Sequence, residues 1–194
     1  TRALEIVRQH DPDIPFIFVS GTIGEDIAVE AMKCGAQDYV MKENLSRLLP
    51  TVKRELREVQ QRRERRLAEQ VLSKLSLVVK QATDSVFITD PAGRIEYVNP
   101  AFERLTGYTI DEIKNSTPAI LSSGKHDIAF YQQLWQTVIG GEVFKGTLIN
   151  RRKNGELFYE EQVITPLKDA QGCTTHFVST GRDITARVHA EETH

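Results

Sequence analysis

Residues 45 to 82 carry one unbroken helical pattern, and this stretch most constrains how the chain can fold. Leu45, Leu49, Val52, Leu56 and Val59 follow a heptad, as do Ala68, Leu72, Leu75, Val79 and Ala82, with the register broken across "QQRRERR". A helix of that length joins bodies rather than lying within one. The expectation is a coiled-coil linker over 49–82 between two small domains, a division that 194 residues permit. The basic run Lys53 to Arg66 is interleaved with Glu55, Glu58 and Glu64 at helical spacing, so it reads as a solvated face with internal ion pairs. A formal charge of −2 argues against a global attraction to nucleic acid or to a membrane. No apolar run approaches the roughly 20 residues of a spanning helix, and no signal-peptide pattern opens the sequence, so a cytoplasmic location is expected. Cys34 and Cys173 lie far apart with no metal-like spacing and read as reduced and structural.

Residues 1 to 48 alternate helix and strand. "TRALEIVRQH" places Leu4, Ile6 and Val7 on a helical stripe, "IPFIFVSGT" is a continuous apolar strand, and "GEDIAVEAMKCGA" is a helix ending at Gly35. "DYVMK" is a second buried strand and "NLSRLLPTVKREL" begins a third helix. Strands apolar on both faces and separated by helices predict an α/β, doubly wound parallel arrangement, of which only part is present. Lys42 ends the second strand, where open parallel sheets bind ligands, so this cation should face an anion.

Residues 83 to 185 change style. "SVFITD", "RIEYVN", "FKGTLINRR", "ELFYEEQVITPL" and "THFVSTGRD" read as strands, separated by the turn sequences "DPAG", "KNG" and "DAQG" and by short helices. Asn99 before Pro100 predicts a helix start, Gly107 its end, and Thr109 with Glu112 a capping box. A longer helix carries Tyr131, Leu134, Trp135 and Val138 on one face and stops at Gly140 and Gly141. The prediction is an α+β domain, a five-stranded antiparallel sheet with helices on one side, followed over 186–194 by the start of an exit helix.

The strings "FVSG" and "GAQDYVMK" give residues 1–48 a resemblance to the C-terminal part of a response-regulator receiver domain. The resemblance implies that Ser20 and Lys42 bind a phosphoryl group and that Tyr39 is the aromatic switch. The family's acidic pair and phospho-accepting aspartate fall upstream of Thr1; Asp11 and Asp13 do not match them, so the site is expected to be incomplete. Glu43 also stands where a proline often follows the lysine.

The strings "SVFITDPAGRIEYVNPAFERLTGY", "NRRKNGELFYEEQVITPLKDAQG" and "GRDIT" resemble a PAS domain with its C-terminal PAC extension. This implies a sensor and dimerisation module, here a homodimer, that passes a signal through helical linkers to an output domain. Asp183 and Thr185 are then the coupling residues, with a helix N-cap as the plainer reading of Thr185. Photoactive flavin domains of the family need a cysteine in the helix after "EIKN", where this chain has Ser116. A haem sensor would use a histidine such as His126, which more simply caps a helix. "ILSSGKHDIAFYQQLW" followed by "GTLINRRKNGELFY" is similar to FAD-binding PAS domains of redox regulators, implying Trp135 and Asn150 as flavin contacts, although Phe144 replaces a tryptophan common there. FAD, another small ligand and a packed core stay open as alternatives. No catalytic constellation, phosphate loop or metal motif is legible, so catalysis is expected only of a parent protein, a histidine kinase or a diguanylate cyclase. A ligand-free adaptor for protein contacts is the rival of a different class.

Overall fold

The computed structural model describes residues 2–21, 29, 32–33 and 35–192. The helix expected over 24–36 falls largely outside these residues, as does Cys34. The chain forms two compact units, divided between Ser73 and Lys74.

In the first unit, α1 (Arg2–His10) buries Leu4. Strands β1 (Ile17–Ser20) and β2 (Asp38–Met41) pair in parallel, with Ser20 opposite Met41. A 3₁₀ segment, Lys42–Arg47, follows β2 and leads into α2 (Leu48–Gln81), a helix of 34 residues. Pro50 is tolerated because it lies in the first turn, where amides have no helical partner.

The face that α2 buries in the first unit overlaps the heptad stripe only at Val59. It is Thr51, Glu55 and Val59 that are buried, whereas Leu49 and Leu56 of the expected heptad are exposed. Glu55 tolerates burial because Arg54 donates to it through Nε at 3.0 Å and Nη2 at 2.7 Å. Arg54 also pairs with Asp38, while Arg63 holds Asp11 at 2.7 Å and Arg66 holds Asp13 at 3.2 Å. Part of the basic run thus lies against acidic groups of the same unit.

The second unit is built on a sheet of order β4-β3-β7-β6-β5, antiparallel throughout. Its strands are β3 (Ser85–Thr89), β4 (Ile95–Val98), β5 (Phe144–Arg151), β6 (Leu157–Lys168) and β7 (Thr174–Asp183). Alternate residues of β3, namely Ser85, Phe87 and Thr89, are buried, the period-2 pattern of a sheet covered on one side. The covering layer comprises α3 (Pro100–Thr106), α4 (Ile110–Ile113), a 3₁₀ turn (Pro118–Leu121) and α5 (Ile128–Ile139). Phe87 and Phe102 meet edge to face at 5.6 Å, in a core with Ile95, Val98, Ile113 and Leu121. The α6 helix (Thr185–Glu192) follows β7.

The expected caps form, and Asn99 does more than cap α3. Its Oδ1 accepts from Phe102 N–H and Val86 N–H, both at 2.9 Å. Its Nδ2 donates to Val79 O at 3.2 Å and Asp84 O at 3.0 Å. One buried amide therefore fastens the last turn of α2 to β3 and α3. Gly107 ends α3 with φ +79, a left-handed conformation that glycine adopts without strain. Cys173 is a free, exposed thiol in the β6–β7 turn, so it packs in no core, contrary to its structural reading. Among the described residues no helix is long and apolar enough to cross a membrane.

Candidate functional site

Between the sheet and α5 lies a cavity of about 470 Å³. The helical pattern of α5 dictates one wall, since Tyr131, Leu134, Trp135 and Val138 recur at spacings of three and four and all face it. Phe87, Leu148, Ile164 and Phe177 supply the apolar part of the sheet wall. Across that wall run four polar side chains, one per strand: Thr89 on β3, Ser179 on β7, Gln162 on β6 and Asn150 on β5. Gln162 Nε2 donates to Ser179 Oγ at 2.7 Å. Thr89 Oγ1 is buried and has no hydrogen-bond partner among the described residues. Such an orphan costs about 1–3 kcal/mol, so its place on a cavity wall suits a ligand carrying a polar edge.

Trp135 and Asn150, singled out in the sequence, both line this cavity. Trp135 stands edge-on to Phe177 at 6.1 Å and is 37% exposed, so it forms a rim instead of filling the core. Its ring passes over Gly93, where an added Cβ would lie 3.0 Å from Cη2. Asn150 is buried, and its Nδ2 donates to the carboxyl of Glu160, at Oε2, at 3.2 Å. His126 adopts a different role from a haem ligand. Its Nε2 accepts the Ile149 N–H at 2.8 Å, occupying the lone pair an iron would require. Among the described residues no cysteine lines the cavity.

Glu160 is the residue that the sequence reading missed. It is buried on β6 and accepts from Ser85 Oγ at 2.5 Å as well as from Asn150. Burial pushes its carboxyl above the ordinary range, opposed by the hydrogen bonds from Ser85 and Asn150. Glycine at 181 makes room for it, because a Cβ there would fall 1.9 Å from Glu160 Oε1. The Glu160–Gly181 fit pairs a carboxylate in one quoted motif with a glycine in another, a relation that appears only once β6 and β7 are aligned.

Asp183 and Thr185 are brought together as expected, with different bonding. Asp183 Oδ1 accepts from Thr185 N at 2.9 Å and from its hydroxyl at 2.5 Å. Thr185 Oγ1 in turn accepts the Tyr159 N–H at 3.0 Å. Val188 N–H donates to Ile184 O, so Ile184 holds the N-cap position and Thr185 is the first helical residue, which replaces the plain cap reading. Arg152 is a second residue that sequence reasoning missed: it donates to Asp183 Oδ2 at 3.1 Å and to Leu105 O, over the Phe158 ring. Burial, the largest single influence, raises the Asp183 carboxyl, yet hydrogen bonds from Thr185 and Arg152 together hold it below its ordinary value.

In the first unit, Ser20 and Lys42 stand at the carboxyl ends of paired parallel strands. Gly21 leaves room for the lysine stem, since an added Cβ would lie 3.2 Å from Lys42 Cδ. Tyr39 lies opposite Phe18 and its hydroxyl donates to Met41 Sδ. Among the described residues no three His, Cys, Asp or Glu side chains are grouped to hold a metal.

Comparison with known proteins agrees with this architecture. The PAS fold profile matches residues 73–184. The nitrogen fixation regulatory protein of Klebsiella oxytoca is 36% identical over 115 residues, covering 59% of this chain and 23% of that protein. The bacterioopsin transcriptional activator of Halobacterium salinarum is 26% identical over 207 residues, covering 97% of this chain and 30% of its own length. The chain thus spans between a fifth and a third of these curated relatives. An RNA-binding light-oxygen-voltage receptor superposes with a TM-score of 0.57 at 27% identity, covering 60% of this chain and 34% of that one. The light-oxygen-voltage domain of an Erythrobacter litoralis blue-light activated histidine kinase superposes with a TM-score of 0.51 at 27% identity, covering 54% and 99%. On the profile match, which covers more than half of its residues, this chain belongs to the PAS fold family.

Proposed function

We propose that the chain is a signal-transduction segment in which the PAS cavity binds a small ligand and relays its state to the helices on either side. The observation that carries this reading is the buried Glu160 carboxyl, which joins the cavity residue Asn150 to Ser85, four residues after α2 ends. The exit-helix contacts of Asp183 and Thr185 supply the second arm, through Tyr159 on the same strand as Glu160. This role is one of binding and relay; any catalysis belongs to the parent protein, for which a histidine kinase or diguanylate cyclase is the candidate.

FAD is the first ligand to test. An apolar cavity with an aromatic rim at Trp135, a polar row across the sheet and the orphaned Thr89 hydroxyl suits a flat heteroaromatic ring with a hydrogen-bonding edge. When bound, a flavin supplies reversible redox chemistry. Trp135 would hold the apolar ring system and Asn150 its polar edge. Protein reconstituted with FAD should show absorption near about 450 nm. Trp135→Ala and Asn150→Ala should each weaken retention about tenfold or more. A featureless spectrum with no thermal stabilisation by FAD would move the reading to a colourless ligand or to a ligand-free adaptor.

Residues 1–48 are proposed as the C-terminal part of a receiver domain, with Ser20 and Lys42 as its phosphoryl-binding groups and Tyr39 as its switch. The helix over 49–82 is proposed as a dimerising coiled coil, supported by the exposed Leu72 and Leu75. Single cysteines at Leu56 and Leu72, with Cys34 and Cys173 changed to serine, should cross-link two copies. Monomers under oxidising conditions at both positions would sink that assignment.

A further inference from the structure

The segment Ser122–His126 runs beside β5, the edge strand of the sheet, and two of its side chains meet the backbone of a single residue, Ile149. Ile149 N–H donates to His126 Nε2 at 2.8 Å, and Ile149 O accepts from Ser123 Oγ. Both outward-facing backbone groups of that edge position are thus closed by side chains. Ser122 forms a bridge with Asn150, and Arg151 Nη2 donates to Ser122 O at 3.1 Å. The 3₁₀ turn just before it, with Ser122, contributes wall to the cavity. The segment is therefore a strap on the cavity, tied along its edge strand.

We infer that His126 is a latch for this strap: its neutral ring accepts the Ile149 N–H and closes the strap on β5, and protonation of the ring releases it. The chemistry is one of donors and acceptors. A neutral imidazole offers one lone pair, here at Nε2, which leaves the hydrogen on Nδ1; with both nitrogens protonated the ring only donates, and the Ile149 amide loses its partner. The ring is held in place by stacking on Phe130 at 4.1 Å and by Tyr131 edge-on at 6.0 Å. The nearby titratable and charged groups do not replace the lost acceptor. Asp127 is engaged with Phe130 N–H at 2.8 Å, Arg151 donates to Ser122 O, Lys125 is a further cation, and the Tyr131 hydroxyl faces Ser122 Oγ at 3.4 Å. Opening of the strap would ease exchange of a cavity ligand, a consequence that rests on the ligand reading above, whereas the latch does not.

Amide hydrogen exchange of Ile149, read by NMR on the whole chain between about pH 5 and 8 and divided by the intrinsic rate, tests the latch. Wild-type protection should fall roughly five- to tenfold towards the acid end, the loss expected for one hydrogen bond. His126→Gln keeps an acceptor that does not titrate, so its protection should stay high and flat. His126→Ala should show the lowered protection of the acid wild type at every pH. The central-strand amide of Phe87 should keep its protection in all three, which separates unlatching from acid unfolding. A flat wild-type profile, or a His126→Gln profile that follows the wild type, overturns the inference. Failure of FAD to bind with these profiles intact would overturn the ligand reading and leave the latch standing.

Discussion

Glu160 and Ser85 stand on strands that are not neighbours, yet their side chains meet at 2.5 Å across the bare α-carbon of Gly181. Gly181 is opposite Ser85 on one side of β7 and Gln162 on the other. The missing side chain is thus what allows a carboxyl on β6 to reach β3. Asn150 on β5 completes the chain of contacts, so one buried group ties the cavity to the strand that follows the long helix.

Gly181→Ala should disrupt that contact. Its Cβ would fall 1.9 Å from Glu160 Oε1, and overpacking of a buried site costs about 1–3 kcal/mol. The fluorescence of the sole tryptophan, Trp135, can follow unfolding of this unit. The Gly181→Ala midpoint should drop, and Glu160→Ala in the same chain should recover part of the loss. Strictly additive losses would argue against the contact.

The raised carboxyl of Glu160 sets a pH dependence of definite sign. Its folded form holds the proton at pH values where the unfolded chain has released it, so the folded state binds more protons and stability falls as pH rises. The loss starts near the ordinary glutamate value of about 4.3 and grows until the folded group ionises. Asp183, held low, acts oppositely and loses stability as pH falls through its folded value. Glu160→Gln removes the first effect alone. Its stability relative to wild type should therefore increase from pH 4 to pH 7, measured by denaturation at each pH, about these limits.

What could be read from the residues, and what could not, follows from the range of the interactions. The five strands, the caps at Asn99, Thr109 and Gly107, and the face of α5 are set by neighbours a few positions apart, so periodicity and turn chemistry reveal them. Trp135 and Asn150 share the cavity, as their family resemblance implied. Glu160 escaped because a lone glutamate in a strand reads as solvent-facing, and its burial depends on Ser85, 75 positions away. Arg152 escaped for the same reason, since its partner Asp183 is 31 positions distant. The face that α2 buries in its own unit was not legible because burial of Glu55 depends on its pairing with Arg54, which hydropathy does not register.

Asn99 should be among the most sensitive positions. Its four hydrogen bonds join α2, β3 and α3, and Asn99→Ala leaves the Val86 and Phe102 amides without their acceptor. A loss of roughly 3 kcal/mol or more is expected in chemical denaturation. Asn99→Asp keeps the acceptor but sets a carboxylate against the Val79 and Asp84 carbonyls. Amide protection in the last turn of α2 should fall in both variants, while a change confined to α3 would contradict the clamp.

Asp183→Asn and Thr185→Val should loosen the exit helix. The first weakens the link to Arg152 and the second removes the acceptor for the Tyr159 amide. Exchange over residues 185–192 should quicken about five- to tenfold in each, with the sheet centre unchanged. Equal protection in wild type and both variants would remove these residues from the coupling route.

The central claim of the proposed function is that the cavity is wired to the entry side of the PAS unit through Glu160 and to the exit helix through Tyr159 on the same strand. Hydrogen exchange of the whole chain with and without FAD tests it most directly, in wild type and in Glu160→Ala. The account predicts that FAD alters protection at residues 79–89 and at 183–192 in wild type, and that Glu160→Ala abolishes the response at 79–89 while still binding FAD. Binding that alters only the cavity walls, or an unchanged response in Glu160→Ala, would contradict it.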